Sequence, residues 1–212
     1  MNKIHELLEG KWEDGTRPKD IYSRLVSKKP ASHVETIISG LTSGKRRIEN
    51  GCAELASLLS EDSPELLYPY ISCFIHNLDS KEAVLRWEAV CTLGNLAAID
   101  KDHALPSCLG HLFKLLSDKS IVLQSHTVRA LTKIAGAYPD EAAKIFKAIL
   151  AAKDQFPGNR VGHLIEAMDA FLGSDAFKRP IKQFVSLYVE SEIKSVASKA
   201  KKILKKIDPK KK

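Results

Sequence analysis

One helical face recurs along the chain at a nearly constant interval, and no other feature of the sequence restricts its fold as strongly. In the stretch 84–97, VLRWEAVCTLGNLA, that face is Arg86, Ala89, Val90, Leu93, Leu96 and Ala97. The spacing is that of a helix with one side turned to a core. The same face occurs earlier in the chain as Ile48, Gly51, Cys52, Leu55, Leu58 and Leu59. It returns later as Gln124, Thr127, Val128, Leu131, Ile134 and Ala135. The next copy reads Val161, Leu164, Ile165, Met168, Phe171 and Leu172. The last reads Val196, Lys199, Ala200, Ile203, Lys206 and Ile207, weakened as a terminal unit facing water would be. Starts at positions 48, 86, 124, 161 and 196 set a period of roughly 35–38 positions, within the range of helical repeat arrays.

A second apolar-periodic segment precedes each of these helices, for example SPELLYPYISCFIHNLD before residue 86 and YPDEAAKIFKAILAAKD before residue 161. Pro69, Pro106 and Pro180 stand at nearly the same interval ahead of Arg86, Gln124 and Val196. A proline inside a helix removes a donor and bends the axis, so a repeated bend is expected there. Two helices per unit at this period predict an all-α chain, a right-handed α-α superhelix of about five helix pairs. No segment has the sustained period-two pattern of a strand. Residues 1–30 fit the register poorly. Their two short amphipathic pieces, separated by EDGTRP, predict an N-terminal helical cap over residues 31–207, with Trp12 and Tyr22 as its apolar cover.

The residues Leu78-Asp79, Val84-Leu85-Arg86, Ala89 and Leu93-Gly94-Asn95-Leu96 resemble the HEAT repeat. Leu116-Ser117-Asp118, Val122-Leu123-Gln124 and Leu131 are similar, with Gln124 where the pattern has arginine. The whole chain also resembles small stand-alone prokaryotic HEAT-repeat proteins, a likeness that carries no activity over with it. The HEAT resemblance implies a hydrogen-bonded ladder along stacked repeats, with Arg86 near Asp79 or Asp118 and Gln124 as a neutral donor. Val161 has no polar group, so the ladder is expected to stop there.

The same resemblance implies that second helices line a concave surface, and their outward positions are the candidate contacts. These are Glu88 and Asn95, then His126, Arg129 and Lys133, then His163 and Glu166. The expected function is non-catalytic binding of a protein or peptide, which the family's use as assembly scaffolds implies. Glu88, His126 and His163 share one column and resemble metal ligands. Adjacent stacked helices, however, lie about 8–10 Å apart, whereas zinc ligands sit about 2 Å from the ion. A polar stripe is expected, with no metal and no cofactor. No G-x-S-x-G, Walker-type loop, H-E-x-x-H or G-x-G-x-x-G occurs, and the chain is not expected to be an enzyme. HEAT-like alkylpurine DNA glycosylases offer an alternative, with Trp87 cradling a base and Asp169 as the acid.

Net charge is +7, and residues 199–212, with eight lysines and one aspartate, account for all of it. Nucleic-acid contact through Lys199, Lys201, Lys202, Lys205 and Lys206 is therefore a second reading, a property of one end and not of the body. Residues 208–212 are expected to be a disordered lysine tail. The joint at 152–163 places Phe156 beside Arg160, either as an exposed contact patch or as a plain connector. Cys52, Cys73, Cys91 and Cys108 form no C-x-x-C pair and read as packing thiols inside helices. No run reaches the ~18 apolar residues of a membrane span, and the N-terminus lacks a signal-peptide core. A cytoplasmic location is the expectation.

Overall fold

A computed structural model of the chain describes residues 3–13 and 15–208. All regular elements among these residues are helical. The chain forms two compact units, Met1–His111 and Leu112–Lys212.

The first unit holds α1 (Lys3–Glu9), α2 (Pro18–Ile21), α3 (Val34–Gly40), α4 (Arg46–Asp62), α5 (Pro64–Leu67), α6 (Ile71–Asn77) and α7 (Ala83–Leu96). Helix α8 (Leu105–Leu115) contains the boundary between units. The second unit continues with α9 (Ile121–Ala137), α10 (Pro139–Ala151), α11 (Val161–Ala167), α12 (Asp175–Ser186) and α13 (Lys194–Ile207). Each repeated face falls on its own helix: α4, α7, α9, α11 and α13. First-position helices α3, α5–α6, α8, α10 and α12 precede them, and α1 and α2 stand ahead of all five pairs.

The periodic positions are the buried ones. On α9, Gln124, Thr127, Val128, Leu131, Ile134 and Ala135 are all buried. On α13 only Val196, Ala200 and Ile203 are, because Lys199 and Lys206 interrupt the face. Complete burial of a leucine-sized side chain contributes about 1.5–3 kcal/mol, so each intact face is a substantial packing term. Helix α11 is short, and a tighter turn, Met168–Phe171, carries the face on to buried Phe171. Rings Phe146, Phe171 and Phe177 close the space beside it with centroids 4.9–5.5 Å apart.

The three prolines do different things. Pro69 sits in a tight turn, Tyr68–Tyr70, that divides α5 from α6. Pro106 is the second residue of α8, where the missing amide costs no helical hydrogen bond. Pro180 alone lies inside a helix, α12. A shared spacing therefore conceals three local roles, because the consequence of a proline depends on its distance from the helix start.

The cap is also built differently from the expectation. Ile4, Leu8, Ile21 and Val26 are buried and supply the apolar cover. Trp12 and Tyr22 are only half-buried. Trp12 donates through Nε1 to the Leu8 carbonyl at 2.9 Å, and the Tyr22 hydroxyl donates to Asp62. Their polar atoms needed partners, which kept both rings at the rim. Helix α1 approaches α3 and α4 closely at two glycines. A Cβ on Gly51 would strike Leu8, and one on Gly40 would strike Cys52 and come within 2.9 Å of His5 Nε2.

In the joint at 152–163, Phe156 is 1% exposed. The connector pins the chain with this ring between two tight turns, Lys153–Gln155 and Gly158–Arg160, and offers no aromatic contact patch. Gly158 takes the positive φ (64°) that the turn requires. Residues 209–212 of the lysine tail lie outside the described residues, whereas Asp208 is ion-paired with Lys182 at 2.5 Å.

Candidate functional site

In the first unit, α4 and α7 pack side by side and place Glu54, Ser57 and Glu61 of α4 near Glu88 and Asn95 of α7. The Glu88 carboxylate accepts from Trp87 Nε1 at 2.8 Å and from the Ser57 hydroxyl. Burial still pushes its pKa up, with Glu61 adding to the rise. Glu54 is raised as well, by burial first and then by Glu88, against the opposing pull of Lys19. Asn95 donates through Nδ2 to Ser60 Oγ at 2.7 Å and reaches the Ser57 carbonyl at 3.5 Å. Asn95 thus ties α7 to α4 while staying half-buried. The result is a negative, partly desolvated surface with an indole at its edge. Glu54 and Ser57 carry no signal of their own in the sequence and join this surface only because α4 lies against α7.

In the second unit, Arg129 of α9 and His163 and Glu166 of α11 line one small cavity of about 140 Å³. His126 is half-buried on α9, and Lys133 is exposed one turn beyond Arg129. Burial and then Arg129 hold the His126 imidazole below its ordinary pKa. His163 is lowered by burial, then Lys199, with Arg129 in the same sense and Glu166 opposing. Glu166 is paired with Lys199 Nζ at 3.1 Å. This surface is therefore cationic and imidazole-rich, opposite in character to that on α4 and α7. Among the described residues no group of three or more His, Cys, Asp or Glu is arranged to hold a metal ion.

The ladder residues have specific partners. Asp79 is exposed and faces His111 Nε2 at 3.3 Å. Asp118 accepts from the Ser120 amide at 2.8 Å, at the entry to α9. Arg86 is half-buried on α7. Gln124, expected as a donor, instead accepts: its Oε1 receives Arg160 NH1 at 3.2 Å. The guanidinium reaches α9 from the turn before α11, one position ahead of Val161.

Of the five C-terminal lysines, Lys199 is tied to Glu166, Lys206 to both oxygens of Asp169 (2.6 and 2.7 Å) and Lys201 to Glu190 at 3.7 Å. Lys202 and Lys205 are exposed and, with Lys194, line a wide surface hollow of about 720 Å³. Asp169, considered above as an acid, is a surface ion-pair partner, and Trp87 spends its indole N–H on Glu88. Burial pushes the thiols of Cys52 and Cys108 up to about 12 and about 11, as it does for packing residues. No helix among the described residues is long and apolar enough to cross a membrane.

No family model and no curated protein matches the chain. Solved structures do. A designed armadillo repeat protein in complex with the peptide (KR)4 matches with a TM-score of 0.69 at 12% identity, covering 98% of this chain and 100% of that one. An engineered protein matches with a TM-score of 0.67 at 14% identity, over 99% of this chain and 100% of its own. A structure of computationally designed armadillo repeat proteins for modular peptide recognition matches with a TM-score of 0.66 at 15% identity, covering 96% of this chain and 90% of that one. At such identities the likeness speaks for architecture alone: the chain has an all-α, armadillo-like helical repeat fold.

Proposed function

We propose that the protein is a non-catalytic scaffold that binds a peptide or an extended segment of another protein along the outward sides of its second-position helices. The observation that carries this reading is the state of the charges there. Glu54 and Glu88 are held with raised pKa in one unit, and His126 and His163 with lowered pKa in the other. Partial burial of such groups is unfavourable unless something satisfies them. A bound chain supplies that through backbone amides, carbonyls and complementary side chains. Glu88 and Asn95 are the contacts of the first unit. His126, Arg129, Lys133, His163 and Glu166 are those of the second. The peptide carried by a designed armadillo neighbour supports the kind of partner. Cysteine side chains that are not cross-linked to one another fit a reducing, cytoplasmic setting.

The experiment is a random-peptide display selection on the full chain. Affinities of the retained peptides are then measured on Glu88→Ala, Asn95→Ala, Arg129→Ala and His163→Ala variants. Loss of affinity by about tenfold or more on at least one unit's variants is expected. Peptides that bind all four variants as tightly as the parent overturn the assignment.

A second reading has its own observation, the hollow lined by Lys194, Lys201, Lys202 and Lys205. It makes α13 a contact for polyanions such as nucleic acid. Heparin retention that falls with salt and is lost on Lys202→Glu/Lys205→Glu supports it, and unchanged retention removes it.

A further inference from the structure

We infer that the groove between α10 and α12 docks an acidic amphipathic segment of a partner protein. The groove is independent of the second-position helices, since it lies on first-position helices of the second unit and the residues that follow them. Phe146, Leu150, Pro180 and Phe184 form its apolar wall and floor. Leu187 stands at its end, 70% exposed, the most exposed of the large hydrophobic residues among those described. The volume is about 640 Å³, room for several side chains and not for one. An apolar surface of this kind on a repeat protein marks a contact when its rim is polar.

Charge selects the occupant. The lining carries two cations, Lys147 and Lys153, and no carboxylate. Lys144, one turn earlier on α10, is engaged with Glu141 and stacked over Phe113, so it is already neutralised. Lys147 and Lys153 have no such partner among the described residues, and both are exposed. Asp154, the neighbour of Lys153 in the chain, bears on Tyr188. A second copy of this chain fits poorly, because a two-fold contact through this face would set the same lysines against each other. An amphipathic helix with leucine or phenylalanine on one face and glutamate or aspartate beside it satisfies both features. The apolar residues would fill the space between Phe146, Phe184 and Leu187, and the carboxylates would meet Lys147 and Lys153.

The test uses two fluorescein-labelled peptides of about four helical turns. Both carry the same leucine–phenylalanine face; one has glutamates on its other face, and its twin has lysines. Fluorescence anisotropy is read against the full chain, with Leu187→Glu and Lys147→Glu/Lys153→Glu as variants whose helix content is checked by circular dichroism. The expected result is saturable binding of the glutamate peptide, weakened about tenfold or more by each variant, and at least about tenfold weaker binding of the lysine twin. Absence of binding by the glutamate peptide overturns the inference. So does equal binding of the twin, or indifference to the lysine reversal. A dimer in sedimentation velocity that Leu187→Glu dissociates overturns it too, since the occupant is then a second copy.

Discussion

Arg160 donates through NH1 to Oε1 of Gln124 at 3.2 Å, and so joins the turn before α11 to a buried position of α9. Gln124 is only 4% exposed, so its carbonyl oxygen depends on this donor. A hydrogen bond from a charged donor to a buried acceptor is worth about 1.5–3 kcal/mol when one partner is removed. Arg160→Ala is expected to lower stability by roughly that amount, and Gln124→Met, which removes the need for a donor, by less. Urea denaturation of the two single variants and the double should show a double variant less destabilised than the sum of the singles. Strict additivity would show that the pair is not coupled.

Gly51 tests how tightly the N-terminal cap sits. Glycine to alanine inside a helix ordinarily stabilises by up to about 1 kcal/mol. Here the new methyl would strike Leu8 of α1. Overpacking typically costs about 1–3 kcal/mol, so the net sign should be destabilising. Gly110, with nothing near its Cβ position and an exposed surface, is the control and should gain stability on the same change. Thermal denaturation midpoints of the two variants should move in opposite directions.

Asp100 organises the entry to α8. Its carboxylate accepts from the amides of Ala104 (3.1 Å) and Leu105 (2.8 Å), and Tyr68 OH lies 3.0 Å from it. It is 8% exposed. Asp100→Ala removes a cap and strands several donors, and should cost about 2–3 kcal/mol. Asp100→Asn keeps one acceptor and should cost less. Both are checked by equilibrium denaturation.

The two units should answer acid with opposite signs. His126 and His163 have folded-state pKa values below their ordinary 6.5. The unfolded chain therefore binds protons first as pH falls, and stability declines from about pH 6.5 down through the folded values. Glu54 and Glu88 have folded-state values above their ordinary 4.5. The folded chain binds those protons first, so their destabilising effect at neutral pH is relieved as pH falls through the folded values toward 4.5. Denaturation midpoints followed against pH should show the upper slope reduced in His163→Gln and the lower relief reduced in Glu88→Gln. No change in either variant contradicts the assignment.

The repeat was legible in the sequence because its signal is apolar periodicity, which burial enforces at nearly every position of α4, α7 and α9. In the N-terminal segment, Trp12 and Tyr22 look apolar in a sequence, but their N–H and O–H dictated where the rings rest. For Phe156 the sequence left an exposed patch and a plain connector both open, because a turn-rich neighbourhood does not reveal that a single buried aromatic anchors the joint. Arg160 lies one position outside the repeated face, so the periodicity that marks Val161 does not mark it. Glu54 became part of the surface only when α4 was laid against α7, a relation that spacing along one helix does not contain.

The most direct measurement for the scaffold reading is a backbone-amide NMR titration of the full chain with the tightest peptide from the display selection. Shifts should concentrate on α7 around Glu88 and Asn95, or on α9 and α11 around His126, Arg129, Lys133, His163 and Glu166. Saturable binding whose shifts avoid both sets of residues would contradict the account, as would the failure of any peptide to saturate.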